Sequence, residues 1–285
     1  MTSANSKLTM FVERAAVIDS AVACPERGLF GVTWLVDLML TGPAGEPGMV
    51  VDFGALKPRV KAFVDARYDH VLLVPTAAPG VTVSDGAAPT VSWRDSEGGR
   101  YRHQGPRSAY AFLEVREVTE SAMAALLEAE LATLFEKTPA LHLEVSVRCE
   151  TIDGAAYQYC HGLEHHAGKC QRIAHGHRSR IEVRCDGRRD PGLEDAWARR
   201  WRDIYLGTRA HLAASDDVNY TFRYRAADGA FELTLPASRC ELLDSETTVE
   251  QIAGYIARQL KAQISAETLE VRAYEGLEKG GIATV

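Results

Sequence analysis

Hydrophobic and polar positions along this chain follow two alternating periods, and the order of those periods is written twice. The segments PTVSWRDSEGGRYRH (89–103) and VNYTFRYRAADGAFEL (218–233) alternate with period two, break at Gly or Asp-Gly, and alternate again. Both predict β-hairpins. TESAMAALLEAELATLF (119–135) and TTVEQIAGYIARQL (247–260) carry apolar residues at helical spacing behind a threonine, which predicts capped amphipathic helices. LHLEVSVRCETIDGAAY (141–157) and ETLEVRAYEGLEKGGIA (267–283) share an LEV strand, a glutamate and a glycine turn, so Glu150 matches Glu275. Upstream, FGVTWLVDLML (30–40) and HGHRSRIEVRC (175–185) read as strands. FGALKPRVKAFVDARYDH (53–70) and EDAWARRWRDIYLGTRAH (194–211) read as helical stretches that each end in histidine. Five matches in one order indicate a tandem duplication, with units at 1–153 and 154–285.

Length and charge narrow the function. A chain of 285 residues has room for two cores that need no disulfide staples. A net charge of −7 argues against a nucleic-acid backbone as partner. The opening MTSANSKLTMFVERAAVIDS shows no signal-type pattern, and no apolar run reaches the ~20 residues of a membrane helix. The six cysteines form no CxxC pair, which suits free thiols in a reducing, cytoplasmic setting. Arginines cluster at 178, 180, 184, 188 and 189 and at 199, 200 and 202. They fit either a solvated strand edge and helix face or a site for a phosphorylated anion.

Candidate chemistry concentrates in YQYCHGLEHHAGKCQRIAHGHRSRIEV (157–183), which holds five of the nine histidines. His175 and His177 lie two apart on a strand and leave the same face. With His161, at the end of the preceding alternating run, they make a three-histidine set of the kind that holds catalytic zinc with one open position. The same stretch contains His161-Gly162-Leu163-Glu164-His165, an H-x-x-E-H string. That motif needs a helix, whereas the local pattern reads strand then loop, leaving His165 and His166 as loop residues without a metal role. Cys170, five residues before His175, is a candidate nucleophile or base. Asp69-His70 reads either as a proton relay or as a helix-terminal histidine satisfying carbonyls.

Together these residues resemble the 6-pyruvoyl-tetrahydropterin synthase and 6-carboxy-tetrahydropterin synthase family, with its tunnelling fold. The second half carries Cys160-His161, Lys169-Cys170 and His175-Gly176-His177. The first half carries Gly48-Met49-Val50-Val51-Asp52-Phe53, Leu56-Lys57 and Tyr68-Asp69-His70. The resemblance implies an α+β fold of two tandem units, each an antiparallel sheet with helices on one face, assembling into a barrel as a homo-oligomer, with a trimer of tandem chains as one arrangement. It implies a zinc lyase acting on 7,8-dihydroneopterin triphosphate, a small-molecule pterin, with Zn2+ on His161, His175 and His177. Cys170 would be the base and Asp69-His70 the relay. Glu275, or else Glu150, would grip the pterin edge, and Thr119, Thr247 and Thr248 would line its site. The alternatives are a homologue with an altered pterin or purine substrate and a non-catalytic binding protein. Each half is incomplete. Phe30-Gly31-Val32 stands where HGH is expected, Asp19 or a neighbour stands where the first histidine is expected, and Ala210-His211 is read as the counterpart of Asp69-His70. The two deficits are complementary, so one complete site shared between unlike halves is expected.

Overall fold

The computed structural model describes residues 7–45, 48–135 and 140–285; residues 1–6 of the opening segment lie outside them. The fold is mixed α+β, with four α-helices among the described residues. Its two compact units are interleaved in sequence. The described residues of one fall within Met1–Ile18, Trp34–Asp69 and Glu117–Glu150, and those of the other within Asp19–Thr33, His70–Arg116 and Thr151–Val285. Strands β1 (Lys7–Cys24) and β2 (Gly28–Pro43) each run from the first unit into the second.

In the first unit β8 (His142–Cys149) pairs antiparallel with the far part of β2, from Trp34 opposite Cys149 to Thr41 opposite His142. Its alternating inward residues Leu143, Val145 and Val147 are buried. Helix α2 (Glu120–Leu131) buries Met123, Leu127 and Leu131, and α1 (Phe53–Arg67) buries Leu56, Val60 and Val64. Each helix thus presents an i, i+4, i+8 stripe. Both begin on the residues the sequence marks. Asp52 accepts from the Gly54 amide and Thr119 from the Ala122 amide, satisfying helix-start donors. The Tyr68 hydroxyl donates to Glu130 (2.7 Å) and Glu128 accepts the Val145 amide (3.0 Å), tying α1 and β8 to α2.

The second unit contains the ends of β1 and β2, with β3 (Leu72–Pro75) parallel to β1 through Ala21 opposite Leu72, and β7 (Tyr110–Leu113) parallel to β3. A further sheet runs β16 (Cys240–Leu243), β12 (Ile204–Thr208), β9 (Ala156–His161), β10 (His175–Cys185), β17 (Leu269–Tyr274), β18 (Gly280–Thr284), with β11 (Arg188–Arg189) beside β10. Helices α3 (Pro191–Arg200) and α4 (Val249–Lys261) share a core with that sheet, including Tyr157, Tyr159, Trp197, Trp201, Ile252 and Ile256. The two hairpins expected from sequence form as β5 (Thr90–Arg94) with β6 (Arg100–Gln104) and β14 (Asn219–Ala226) with β15 (Gly229–Pro236). They join through β15 and β6, Leu233 opposite His103, into one sheet edged by β4 (Thr82–Ser84) and β13 (Leu212–Ser215).

The expected helical stretch at 194–211 is corrected by the structure. Helix α3 starts at Pro191 behind the Asp190 cap and stops at Arg200. Asp203 then adopts φ 57°, and Ile204–Thr208 is a strand. The physical reason is local: a left-handed residue ends the helix, and the aromatic and β-branched run IYLGT pairs into a sheet rather than continuing a turn.

Two glycines set how closely backbones meet in the second unit. A Cβ on Gly176 would lie 2.6 Å from the Gly31 Cα and 2.6 Å from the Tyr159 carbonyl; one on Gly31 would lie 2.4 Å from the His177 amide nitrogen. These are the matching glycines of FGV and HGH, and neither position has room for a methyl group. Gly176→Ala is expected to destabilise the protein by about 1–3 kcal/mol through overpacking, read as a lower urea midpoint at unchanged slope. An unchanged midpoint would contradict this close approach.

Candidate metal centre

Antiparallel pairing of β9 with β10 places His175 directly opposite His161 and His177 opposite Tyr159. Side chains two apart on a strand share a face, and cross-strand partners point the same way, so the pairing alone gathers three rings. Their centroids lie 4.4 Å (His161–His175), 5.3 Å (His161–His177) and 5.4 Å (His175–His177) apart. One ligand nitrogen from each lies within 4.8 Å of the others, and all three residues are fully buried.

Two of the three outward nitrogens are already hydrogen-bonded. His161 Nδ1 donates to the Thr247 carbonyl (2.9 Å), with Thr247 Oγ1 at 3.1 Å. His175 Nδ1 donates to the Arg172 carbonyl (3.0 Å). His177 Nδ1 lies 3.3 Å from Asp19 Oδ1, an ion-pair approach without hydrogen-bond alignment. A carbonyl or carboxylate behind Nδ1 sets the tautomer that leaves the Nε2 lone pair free. All three Nε2 atoms are buried and make no hydrogen bond. Buried unsatisfied nitrogens are costly, and three convergent imidazoles fit a divalent metal ion with a further position for water or substrate. Burial, then the nearby His177, pushes His161 down to about 3. Burial and the neighbouring imidazoles hold His175 well below the ordinary histidine range. Both rings are therefore in the unprotonated form that metals bind.

Against this set stand His70 and Cys170. His70 follows α1 with φ 55°; its amide donates to the Asp19 carbonyl (2.8 Å) and its carbonyl accepts from Arg172 (3.2 Å), itself paired with Asp228 (3.2 Å). Its ring stacks on His175 at 5.0 Å and meets His177 edge-on at 6.1 Å. Ligand atoms of His70, Cys170 and His175 lie within 4.8 Å of one another. Relay histidine and thiol, read from opposite halves of the sequence, thus sit in one compact unit.

Asp19, Thr33 and Arg172 belong to this arrangement although sequence reasoning gave none of them a role there. The buried Asp19 carboxylate accepts from Thr33 Oγ1 (2.6 Å), which in turn accepts the Arg178 amide (3.1 Å). Burial raises the Asp19 carboxyl, but His177, Thr33 and His70 outweigh it and hold it below its usual range. Gly276, at φ 63°, leaves the room this carboxylate occupies: a Cβ there would lie 2.6 Å from Asp19 Oδ1. The neighbouring Glu275 is likewise raised by burial, yet net lowered by His177, His161 and Lys279, whose ammonium is 3.0 Å away. No spacing rule in the sequence joins residue 19 to residue 177. Only the buried polar character of Asp19 inside an apolar strand was a usable signal.

Thr247 is fully buried behind His161, and Thr248 caps α4 without a side-chain hydrogen bond. The structure does not gather all the expected residues. Asp69, Thr119 and Glu150 fall in the first compact unit, while His70, Cys170, Thr247, Thr248, Glu275 and the three histidines fall in the second. His161–His165 is strand then turn, so the H-x-x-E-H string has no helix. In the arginine cluster, Arg189 pairs with Glu194, Arg200 with Glu241 and Arg184 with Glu270, which favours the structural reading over an anion site.

The counterpart of His70 in the second copy is Asp203, rather than His211 as read from the sequence. Both follow a helix with an aromatic cap (Tyr68, Trp201), both take φ near 55°, and both precede a strand that pairs parallel with the first strand of its copy, β3 with β1 and β12 with β9. Asp203 binds Arg27, three residues before Phe30, as Arg172 lies three before His175. Arg27 also covers the Phe30 ring at 3.7 Å. Buried Phe30 and Val32 replace His175 and His177, so this second arrangement offers an ion pair and apolar packing in place of ligand nitrogens.

The sequence model of 6-pyruvoyl tetrahydropterin synthase matches the chain twice, at residues 23–153 and 150–284. The chain belongs to that family, in tandem-duplicated form. Similar solved structures include a 6-pyruvoyl tetrahydropterin synthase from Plasmodium falciparum (21% identity, TM-score 0.42) and one from Plasmodium vivax (20% identity, TM-score 0.40). Each match covers 50% of this chain and 91% of the other. No curated protein sequence matches significantly.

Two outcomes follow. Asp19→Asn is expected to weaken divalent-metal affinity about 10–100-fold in a protein that still folds, measured by competition with a chromophoric chelator. Unchanged affinity would remove Asp19 from the metal's support. In the metal-free protein, His161, His175 and the buried His103, also pushed down to about 3 by burial and then Arg102, are neutral when folded. The unfolded chain takes up their protons first, near pH 6.5, so stability declines as pH falls below that value. The slope is about 1.4 kcal/mol per pH unit for each ring. Urea midpoints at pH 7, 6 and 5 should fall steadily; a flat series would contradict the neutral burial.

Proposed function

We propose that the chain is a zinc-dependent lyase that converts 7,8-dihydroneopterin triphosphate into a 6-substituted tetrahydropterin, 6-carboxy or 6-pyruvoyl, with release of triphosphate. The observation that carries this reading is the convergence of three free Nε2 atoms with Cys170 and His70 beside them. Zinc held by His161, His175 and His177 would bind the substrate's side-chain hydroxyls and acidify the neighbouring C–H bonds. Cys170 takes a proton from that carbon as base. His70, within reach of Cys170, passes protons to and from the substrate, with Asp69 beside it in the chain as the other half of the relay. Glu275, ionised and half-buried, accepts the two N–H groups of the pterin edge as a fork. Thr247 holds His161 in place, and Thr248 at the start of α4 contacts the pterin.

The six free cysteines support a reducing, cytoplasmic setting, and no described helix is long and apolar enough to cross a membrane. The family likeness supports a homo-oligomer of tandem chains closing a barrel. One observation favours a second reading, the same chemistry on an altered pterin or purine. The joined hairpins reach the Cys170 loop, where the Tyr224 hydroxyl donates to the Gln171 carbonyl (2.7 Å).

The test is direct. Zinc-loaded protein incubated with 7,8-dihydroneopterin triphosphate should release inorganic triphosphate, alone for the pyruvoyl product and with acetaldehyde for the carboxy product. Cys170→Ala should lower turnover by about 10²–10⁴ with pterin binding retained. Absence of triphosphate release with tight pterin binding would replace the lyase by a binding protein. Because His70 and His177 lie in one compact unit, a mixture of His70→Ala and His177→Ala chains should stay inactive; recovered turnover would mean that the site forms between chains.

A further inference from the structure

A second group of metal-ligating side chains lies apart from the three histidines. Glu164 and His165 come from the loop after β9, Glu246 from the approach to α4, and His211 from the turn after β12. His211 is nine-tenths buried and directs Nε2 at both carboxylates, 2.9 Å from Glu164 Oε2 and 3.5 Å from Glu246 Oε1. Glu246 Oε1 is also 3.0 Å from His165 Nδ1. Ligand atoms of Glu164, His165 and Glu246 all fall within 4.8 Å of one another. The buried Glu246 Oε2 has no hydrogen-bond partner.

Donors and acceptors do not balance here. Two carboxylates bring four oxygens, and the two facing imidazole nitrogens supply at most two protons. Among the described residues no lysine or arginine pairs with Glu164 or Glu246; the nearby Arg209 is taken by Asp244. Two negative groups around one imidazole nitrogen, with an acceptor left over, call for a cation. One imidazole nitrogen and two carboxylates form a donor set suited to a borderline divalent metal, and the two carboxylate charges neutralise it.

We infer that Glu164, His165 and Glu246 form a second divalent-cation site with a structural role, its two carboxylates held in place by the buried His211. The ion pins the loop from His161 to Cys170. Glu164 and His165 sit on that loop, the Leu163 amide donates to the Cys170 carbonyl (2.9 Å), and Glu246 precedes Thr247, which holds His161. The site is independent of the proposed reaction.

Metal-free full-length chains titrated with Zn2+ by calorimetry, with bound zinc counted by elemental analysis after gel filtration, test this. Wild type should bind two ions per chain, Glu164→Gln/Glu246→Gln one, and His161→Ala/His175→Ala one that is lost when the glutamine pair is added. In the His161→Ala/His175→Ala background, Zn2+ should also raise the melting temperature in a concentration-dependent way. If the glutamine pair changes the zinc count in neither background, the second site is overturned. If only the alanine pair leaves the count unchanged, the three-histidine reading fails while the second site stands. Should the double glutamine variant fold poorly, Glu246→Gln alone carries the same comparison, and an unchanged count again overturns the proposal.

Discussion

Three buried imidazoles whose Nε2 atoms converge, two of them turned inward by carbonyls behind their Nδ1 atoms, are the constraint on which the rest of the second unit depends. Left without a partner, their Nε2 atoms would cost the fold free energy, because burial removes the water that would otherwise satisfy them. The surrounding groups hold this arrangement in place. Thr247 and Arg172 supply carbonyls, Asp19 a carboxylate, and Gly176 the close approach that lets β10 carry a histidine on either side of it. A site of this kind is preorganised, since hydrogen bonds fix the tautomer and direction of His161 and His175 before any ligand arrives.

Duplication explains how one chain assembles such a site from distant segments. The second copy keeps the three convergent histidines and the thiol. The first copy contributes His70, the carboxylate behind His177 and the glycine opposite Gly176. The reciprocal arrangement has gone the other way. Phe30 and Val32 fill it, and Arg27 with Asp203 ties it together, so the same backbone framework gathers histidines on one side and apolar packing with an ion pair on the other. A fold can tolerate this because backbone geometry, including the left-handed turns at His70 and Asp203, is conserved by packing while side chains at the same places diverge.

The repeat, the two hairpins, the strands around FGV and HGH, and the helix starts at Asp52 and Thr119 were all legible along the chain. They rest on local periodicity and capping chemistry that neighbouring residues decide. The three histidines were legible for the same reason, since strand alternation and one cross-strand pairing suffice to gather them. The run at 194–211 misled because its apolar spacing suits a helix until Asp203 turns left-handed, a local choice that strand pairing of Ile204–Thr208 rewards. That slip also displaced the relay's counterpart from Asp203 to His211.

By itself, then, the sequence determined most secondary elements, the duplication, the meeting of the three histidines on one strand pair and the family likeness, because each is written in residue types at short spacing. Tertiary structure alone decided which copy's residues meet: that His70 stacks on His175, that Asp19 backs His177 while Asp69 and Glu150 fall in the other unit, and that the two hairpins merge into one sheet. Those are contacts over more than a hundred residues of chain, set by how whole strands pack, and no local pattern encodes the register of one such strand against another.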